Sequence, residues 1–481
     1  MSGLMSRGAI LTVSRISNFA IQLLSPLLLV RILDVASYGR YQEFVIWAVL
    51  LVTVCSFAVD SSLTYFLPRY PQRERTFVSQ STVLTLAISV ICLLSLILAK
   101  PLVLKATSFD FVAPLAAYVF FFVNLNWVDY YWIATRRANL VLYYSALRLV
   151  IRITVLLVVA YVTRDVLTIA WSLAAVEAVR VLVMLAYFAR RGIFVINLRR
   201  SEIAEHLRFA APLGAAAIVQ NASHSIGKLF IGGTLGPVAL AYYATGSYLQ
   251  PLVRVARSGI EDAVYPELVR RHDEAGGALH LWQRVNVLNC AMFFPAFVLL
   301  VYYAKLIISV LFTEAYLPAA PIFCVYAAFL LRRCFNSDAL LRTTGRSAFM
   351  LWGTVGALGT NVVLIVLLSS VLGMIGPAVA FIFAETALEM YYSSMVRKKL
   401  KIGVVDLADW GSIARIAASC AAALPILIGF DFLPGSEIVR MFAASVLYAG
   451  SVLWLAYRLG VTDVGRVVKY FWSRLDGKSV P

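Results

Sequence analysis

Along most of this chain, hydrophobic and polar positions fall in long blocks: apolar runs of about twenty residues, each closed by a short segment rich in arginine. Residues 76 to 99 are the plainest case, with 24 consecutive positions and no charged side chain. A helix needs only about 20 such residues to cross a bilayer. The pattern predicts fourteen helical spans, centred near residues 20, 56, 90, 123, 151, 177, 220, 252, 298, 330, 359, 385, 421 and 448. The fold class read from this pattern is an all-α integral membrane protein. Residues 8 to 33 begin like a signal sequence, but Arg15 interrupts the apolar stretch and no A-x-A site follows, so the segment reads as an uncleaved first helix.

Composition agrees with the pattern. Of 481 residues 61% are hydrophobic and 14% charged, and the mean hydropathy is +0.84, far above what a soluble core requires. The net charge of +17 changes the picture only when it is mapped onto the loops. With the amino terminus placed inside, the cytoplasmic segments carry 24 basic residues and the opposite loops only four, Arg40, Lys100, Lys105 and Arg164. Short basic loops stay on the cytoplasmic side, so both termini are read as cytoplasmic and the positive charge needs no nucleic-acid partner. No loop exceeds about twenty residues, too few for a folded extramembrane domain. The six cysteines, Cys55, Cys92, Cys290, Cys324, Cys334 and Cys420, fall in apolar segments without a C-x-x-C pair, and the four histidines have no ligand spacing. No metal site and no cofactor is expected.

A weak internal repeat organises the spans. "LDVASYGRY" at 33–41 follows the first span and "LGPVALAYY" at 235–243 follows the seventh, sharing Leu33/Leu235 and Tyr41/Tyr243. A shift of six spans preserves orientation, as in parallel repeats. The expected organisation is a lobe over residues 1–190, a cytoplasmic connector over 191–206, a second lobe over 207–400, and two further helices with a cytoplasmic tail over 401–481.

Six plus six plus two spans, with this turn between the first two helices of a half, resemble the polysaccharide transporter family. These are Wzx-type flippases of lipid-linked oligosaccharides within the multidrug/oligosaccharidyl-lipid/polysaccharide (MOP) superfamily, and the resemblance covers essentially the whole chain. Asp34 stands where that turn usually has glycine, and Ala241 where glycine would match Gly39. The resemblance implies a MATE-like fold of two pseudo-symmetric six-helix lobes, a bacterial inner membrane, and an undecaprenyl-pyrophosphate oligosaccharide substrate such as an O-antigen, capsule or exopolysaccharide repeat unit. It also implies a non-enzymatic, monomeric transporter whose product passes to a polysaccharide polymerase and chain-length machinery.

Charged residues within spans are the candidates for chemistry, because each costs several kcal/mol in hydrocarbon unless it is paired or hydrated. The bases are Arg15, Arg148, Arg152, Arg180, Lys228, Arg254, Arg257, Arg332 and Arg333; the acids are Asp60, Asp129, Glu177, Glu261, Asp262, Asp338, Glu385 and Glu389. In the fifth and sixth spans Arg148 and Arg152 can be neutralised by Glu177, with direct contact to substrate as the alternative. In the first, seventh and eighth spans the bases dominate, and Arg254 and Arg257 share a helical face. A hydrated cavity lined by Arg15, Lys228, Arg254 and Arg257 would attract anions, and guanidinium forks suit phosphate oxygens. The resemblance points to the same place, since helices one, two, seven and eight line a central cationic cavity in that family; pairing of these bases with Asp60 is the structural alternative. "FFFVNLNWVDYYW" at 120–132 offers Asn124, Asn126 and Trp127 either to sugar rings or to packing and interface anchoring. Arg332 and Arg333 are expected to pair with Glu385 or Glu389 by default, and a coupling-ion role for those glutamates is the alternative. Because adjacent helical residues point about 100° apart, the two arginines are not expected to serve one narrow site equally.

Competing functions within reach are a multidrug/cation antiporter of the same superfamily and a membrane-embedded polysaccharide polymerase. The first would favour unpaired acids over bases in the cavity. Polymerases carry a long periplasmic loop that this chain lacks, and no Ser-His or H-x-x-x-D arrangement occurs in its outer loops.

Overall fold

The computed structural model describes residues 23–106, 111–194, 200–250, 277–335, 337–342 and 347–461, with positions 253, 264, 265, 267, 268, 270 and 465. In chain order the helices are α1 (Val35–Ser56), α2 (Leu63–Arg69), α3 (Glu74–Ala106), α4 (Val112–Val123), α5 (Val128–Ala134), α6 (Ala138–Thr163), α7 (Val166–Arg190) and α8 (Arg200–Gly246). They continue as α9 (Gly277–Tyr302), α10 (Ala304–Phe312), α11 (Ala320–Arg333), α12 (Ser337–Arg342), α13 (Ser347–Leu372), α14 (Gly376–Leu400), α15 (Trp410–Asp431) and α16 (Glu437–Arg458). No strand occurs among the described residues. Nine segments among them are long and apolar enough to cross a membrane. Their outward positions are apolar, with Leu98 80% and Val446 74% exposed, whereas Glu177 is only 1% exposed. Apolar outside and charged inside is the arrangement that hydrocarbon solvent selects, and the protein is a multi-pass membrane protein.

Three spans that the sequence pattern reads as continuous are broken. The second is interrupted between α1 and α2, where Phe57 and Ala58 take left-handed backbone angles (φ 43° and 58°). The fourth is interrupted between α4 and α5, with Leu125 at φ 58°. The tenth is interrupted between α11 and α12. Non-glycine residues in this conformation cost roughly 1–2 kcal/mol each, so distant contacts must hold them. The first two breaks carry small polar residues, "DSS" at 60–62 and "NLN" at 124–126, and Ser337 and Asp338 open α12 after the third. Side chains of this kind bond neighbouring backbone and compete with the helix. Pro212 lies within α8 and Pro295 within α9, and α8 departs from helical backbone angles at Gly236 (φ 82°), one residue before Pro237.

The chain forms two compact units, Met1–Thr245 and Gly246–Pro481. In the first, the short half-helices α2 and α5 pack together, and Phe66, Trp127, Tyr131, Phe77 and Phe188 join one buried aromatic cluster. Nearly all of α8 belongs to this unit. Asn221 donates to Thr53 Oγ1 at 3.3 Å, and His206 Nε2 lies 2.5 Å from Ser62 Oγ. In the second unit α12 packs in a cluster with Trp282 and Tyr392, and α15 and α16 lie together with Tyr448 donating to the Cys420 carbonyl at 3.1 Å.

Asp34, the departure from the family's turn, caps α1: its carboxylate accepts from the amides of Ala36 and Ser37 at 3.0 and 3.2 Å. The Ser37 hydroxyl and these amides hold the carboxyl below its ordinary range. An extended N-cap (φ −67°, ψ 164°) has no need of glycine. The two repeat turns meet in space, because a Cβ on Gly39 would lie 1.8 Å from the Pro237 carbonyl oxygen. Gly39→Ala is therefore expected to lower the unfolding temperature of the purified protein by an amount equivalent to about 1–3 kcal/mol. Gly233→Ala, whose added methyl meets nothing within 4 Å, should leave that temperature unchanged or raise it. Equal behaviour of the two variants would show that the close approach is unimportant.

Candidate functional site

A broken helix exposes carbonyls that hydrocarbon cannot solvate, so each must find a donor inside the protein. In the first unit, Arg180 of α7 supplies it. Its Nη2 donates to the carbonyls of Phe121, Phe122 and Asn124 at 2.7, 2.9 and 2.9 Å, and its Nη1 to that of Leu125 at 3.3 Å. Asn124 completes the closure, donating from Nδ2 to the Phe120 carbonyl at 2.7 Å and to Ser89 Oγ at 2.9 Å.

A guanidinium buried against carbonyls needs a counter-charge, and Glu177, one turn earlier on α7, provides it. Arg180 Nε donates to Glu177 Oε2 at 2.5 Å, while Arg148 of α6 reaches both carboxylate oxygens at 3.1 Å and lies over the Phe122 ring at 4.7 Å. Arg152 departs from the sequence expectation. It donates to the Tyr118 hydroxyl at 2.8 Å instead of pairing with Glu177, because Arg148 and Arg180 already occupy that carboxylate.

The second unit closes its own broken helix with similar groups. Arg332 stands 3.6 Å from Glu385 Oε2 and 3.3 Å from Glu389 Oε2, and its Nε donates to the Glu385 carbonyl at 3.1 Å. Arg333 Nη2 lies 3.4 Å from the same Glu385 oxygen, over the Phe329 ring at 4.3 Å. The two arginines, both in the last turn of α11, converge on Glu385 but do not serve it equally, since Arg332 also reaches Glu389 and Arg333 does not. Glu389 also accepts from the first amide of α12, Ser337 N, at 2.9 Å. Both glutamates offered as ion-coupling candidates are thus charge-compensated.

The remaining candidates divide. Asn126 donates to Asp60 at 2.9 Å, and Trp127 is fully buried between Phe188 and Tyr131. Lys228 lies partly buried on α8. Arg15, Arg254 and Arg257 lie outside the described residues. All six cysteines are free. Sequence reasoning missed Arg180 as the closing group; the signal was its i,i+3 spacing from Glu177 beside an Asn-rich interruption in a neighbouring span.

Solved structures with this architecture are membrane transporters and flippases. The inward-closed lipid II flippase MurJ superposes with a TM-score of 0.71 at 12% identity, covering 93% of this chain and 99% of that one. A MOP superfamily transporter from Pyrococcus furiosus gives 0.58 at 12% identity, covering 83% and 95%. A Vibrio cholerae MATE transporter gives 0.52 at 12% identity, covering 82% and 97%. At such identity these likenesses define the class of fold, that of the MOP superfamily. No curated protein sequence matches the chain. A family model described as polysaccharide biosynthesis protein matches residues 28–321, more than half of the chain, and the chain belongs to that family.

Glu177→Gln removes the carboxylate that Arg148 and Arg180 share. Breaking a buried pair in this way costs about 3–5 kcal/mol, so the variant should lose most of its thermal stability or fail to accumulate in the membrane. Arg152→Ala removes one hydrogen bond and should cost about 1 kcal/mol. Unfolding temperatures in detergent would separate the two, and a Glu177→Gln protein as stable as the parent would refute this account of the network.

Proposed function

We propose that the protein moves a lipid-linked oligosaccharide from the cytoplasmic to the periplasmic leaflet of a bacterial inner membrane by alternating access. In this reading its two lobes expose a cationic site first to one side and then to the other, while the polyprenyl tail stays in lipid. A pyrophosphate headgroup cannot cross hydrocarbon unaided, because an ionised group loses its hydration there.

The observation that carries the reading is the allocation of intramembrane bases. Arg148, Arg180, Arg332 and Arg333 have carboxylate partners within their own units, and Arg152 has Tyr118. We assign the anion-binding role to Arg15, Lys228, Arg254 and Arg257, which suit a pyrophosphate by charge and, for the arginines, by fork geometry. Membership of a polysaccharide biosynthesis family and likeness to a lipid II flippase support a lipid-linked, sugar-bearing cargo. The protein would work as a monomer with both termini cytoplasmic, handing its product to a polymerase.

Reconstitution with a fluorescent undecaprenyl-pyrophosphate oligosaccharide tests the reading. Flipping is expected for the parent and should fall at least about ten-fold in the Arg254→Ala/Arg257→Ala double variant, since one lost charge-assisted contact is worth roughly 1.5–3 kcal/mol. Undiminished flipping would remove these residues from the site. Efflux of a cationic dye without glycolipid movement would favour the multidrug alternative.

A further inference from the structure

Asp60 differs from the buried acids Glu177, Glu385 and Glu389. It sits in the turn between α1 and α2, is 5% exposed, and accepts two hydrogen bonds, from Ser61 N at 2.8 Å and Asn126 Nδ2 at 2.9 Å. No cation lies against it among the described residues, whereas Glu177, Glu385 and Glu389 each face one or more arginines. Asn126 belongs to the break between α4 and α5, so this hydrogen bond joins the two interrupted helices of the first unit at their interruptions.

A carboxylate buried without a counter-charge is tolerated when a cation can come and go. A sodium ion would need several oxygen ligands, and the breaks leave few available. On the α1–α2 side, Thr53 O accepts from Phe57 N, Ser56 O from Val59 N, Ala58 O from Ser62 N, and Asp60 O from Leu63 N, while Val59 O accepts from Ser62 Oγ. On the α4–α5 side, Arg180 covers the carbonyls of Phe121, Phe122, Asn124 and Leu125. A proton needs only one carboxylate oxygen. Ionisable groups on the surrounding helices are engaged elsewhere: Tyr118 on α4 with Arg152, Glu74 on α3 with Tyr131 of α5, Glu177 on α7 with Arg148 and Arg180, and His206 on α8 with Ser62. Asp129 on α5 stands in the field of Arg148 and Arg180.

We infer that Asp60 is a proton-binding site, and that Asn126 reports its charge from one broken helix to the other. Asp60 takes a proton from water and becomes a neutral acid. The Asn126 amide, a donor to the carboxylate, then turns its oxygen to accept from the new O–H, and the charge-assisted bond between the helices is replaced by a weaker neutral one. As a coupling site for transport the inference rests on the function proposed above; as a proton site it stands on the first unit alone.

Infrared difference spectroscopy on the purified full chain, without substrate, tests it. Acidification from about pH 8 to about pH 5 should raise a carboxylic-acid carbonyl band. Asp60→Asn should lack that component, and Asp129→Asn should keep it. Asn126→Ala should move the band's midpoint to higher pH, because the charged form loses a donor, and this reads the same site should Asp60→Asn yield too little protein. Identical titrations for the parent and Asp60→Asn, or an unmoved midpoint in Asn126→Ala, would overturn the proposal. A midpoint that shifts when choline replaces sodium would overturn the choice of a proton over a metal ion. Since no cargo is present, failure here is distinguishable from failure of the flipping assay.

Discussion

Every carbonyl freed inside a membrane protein must be given a donor from within the chain. In the first unit that demand is met by Arg180, whose guanidinium gathers four carbonyls from the end of α4 and the break beyond it. The arginine is stable there only because Glu177 neutralises it, and Glu177 in turn accommodates Arg148. One acid thus ties α6, α7 and the interrupted α4–α5 span together. Each interaction exists because another has already been satisfied.

The second unit meets a related demand from different positions. Its acids, Glu385 and Glu389, come from α14, and its bases, Arg332 and Arg333, from the broken span itself. Glu177 lies on α7, the helix two spans after the α4–α5 interruption, and Glu385 lies on α14, two spans after the α11–α12 interruption. Buried acid beside broken helix is therefore a property of both units, although the bases that complete it have changed helix.

These networks reassign charges that look functional in a linear sequence. An arginine in an apolar run can bind a ligand or close a helix, and residue type alone does not distinguish the two. Among the described residues Arg148, Arg180, Arg332 and Arg333 are engaged with carboxylates, and Asp60, which is held by hydrogen bonds with no facing base among them, is of a different kind from Glu177, Glu385 and Glu389. The family of polysaccharide biosynthesis proteins and the MOP fold give these residues their context.

Much of the architecture was legible beforehand. Apolar blocks long enough to span a bilayer follow from the solvent, which acts on local composition, and the turns at 33–41 and 235–243 pointed to the family. The pairing of Arg332 with Glu385 and Glu389 was also within reach, because a buried charge in a helix demands a partner. The breaks were not, although "DSS" and "NLN" marked two of them, since in hydrocarbon a helix is broken only if donors from elsewhere repay the lost hydrogen bonds. Arg180 lies 55 residues beyond Leu125, and Asp60 lies 66 before Asn126. Composition determined that the chain spans a membrane; which charges hold the helices together was decided only when distant segments packed together, because a charge in low dielectric is defined by its nearest partner.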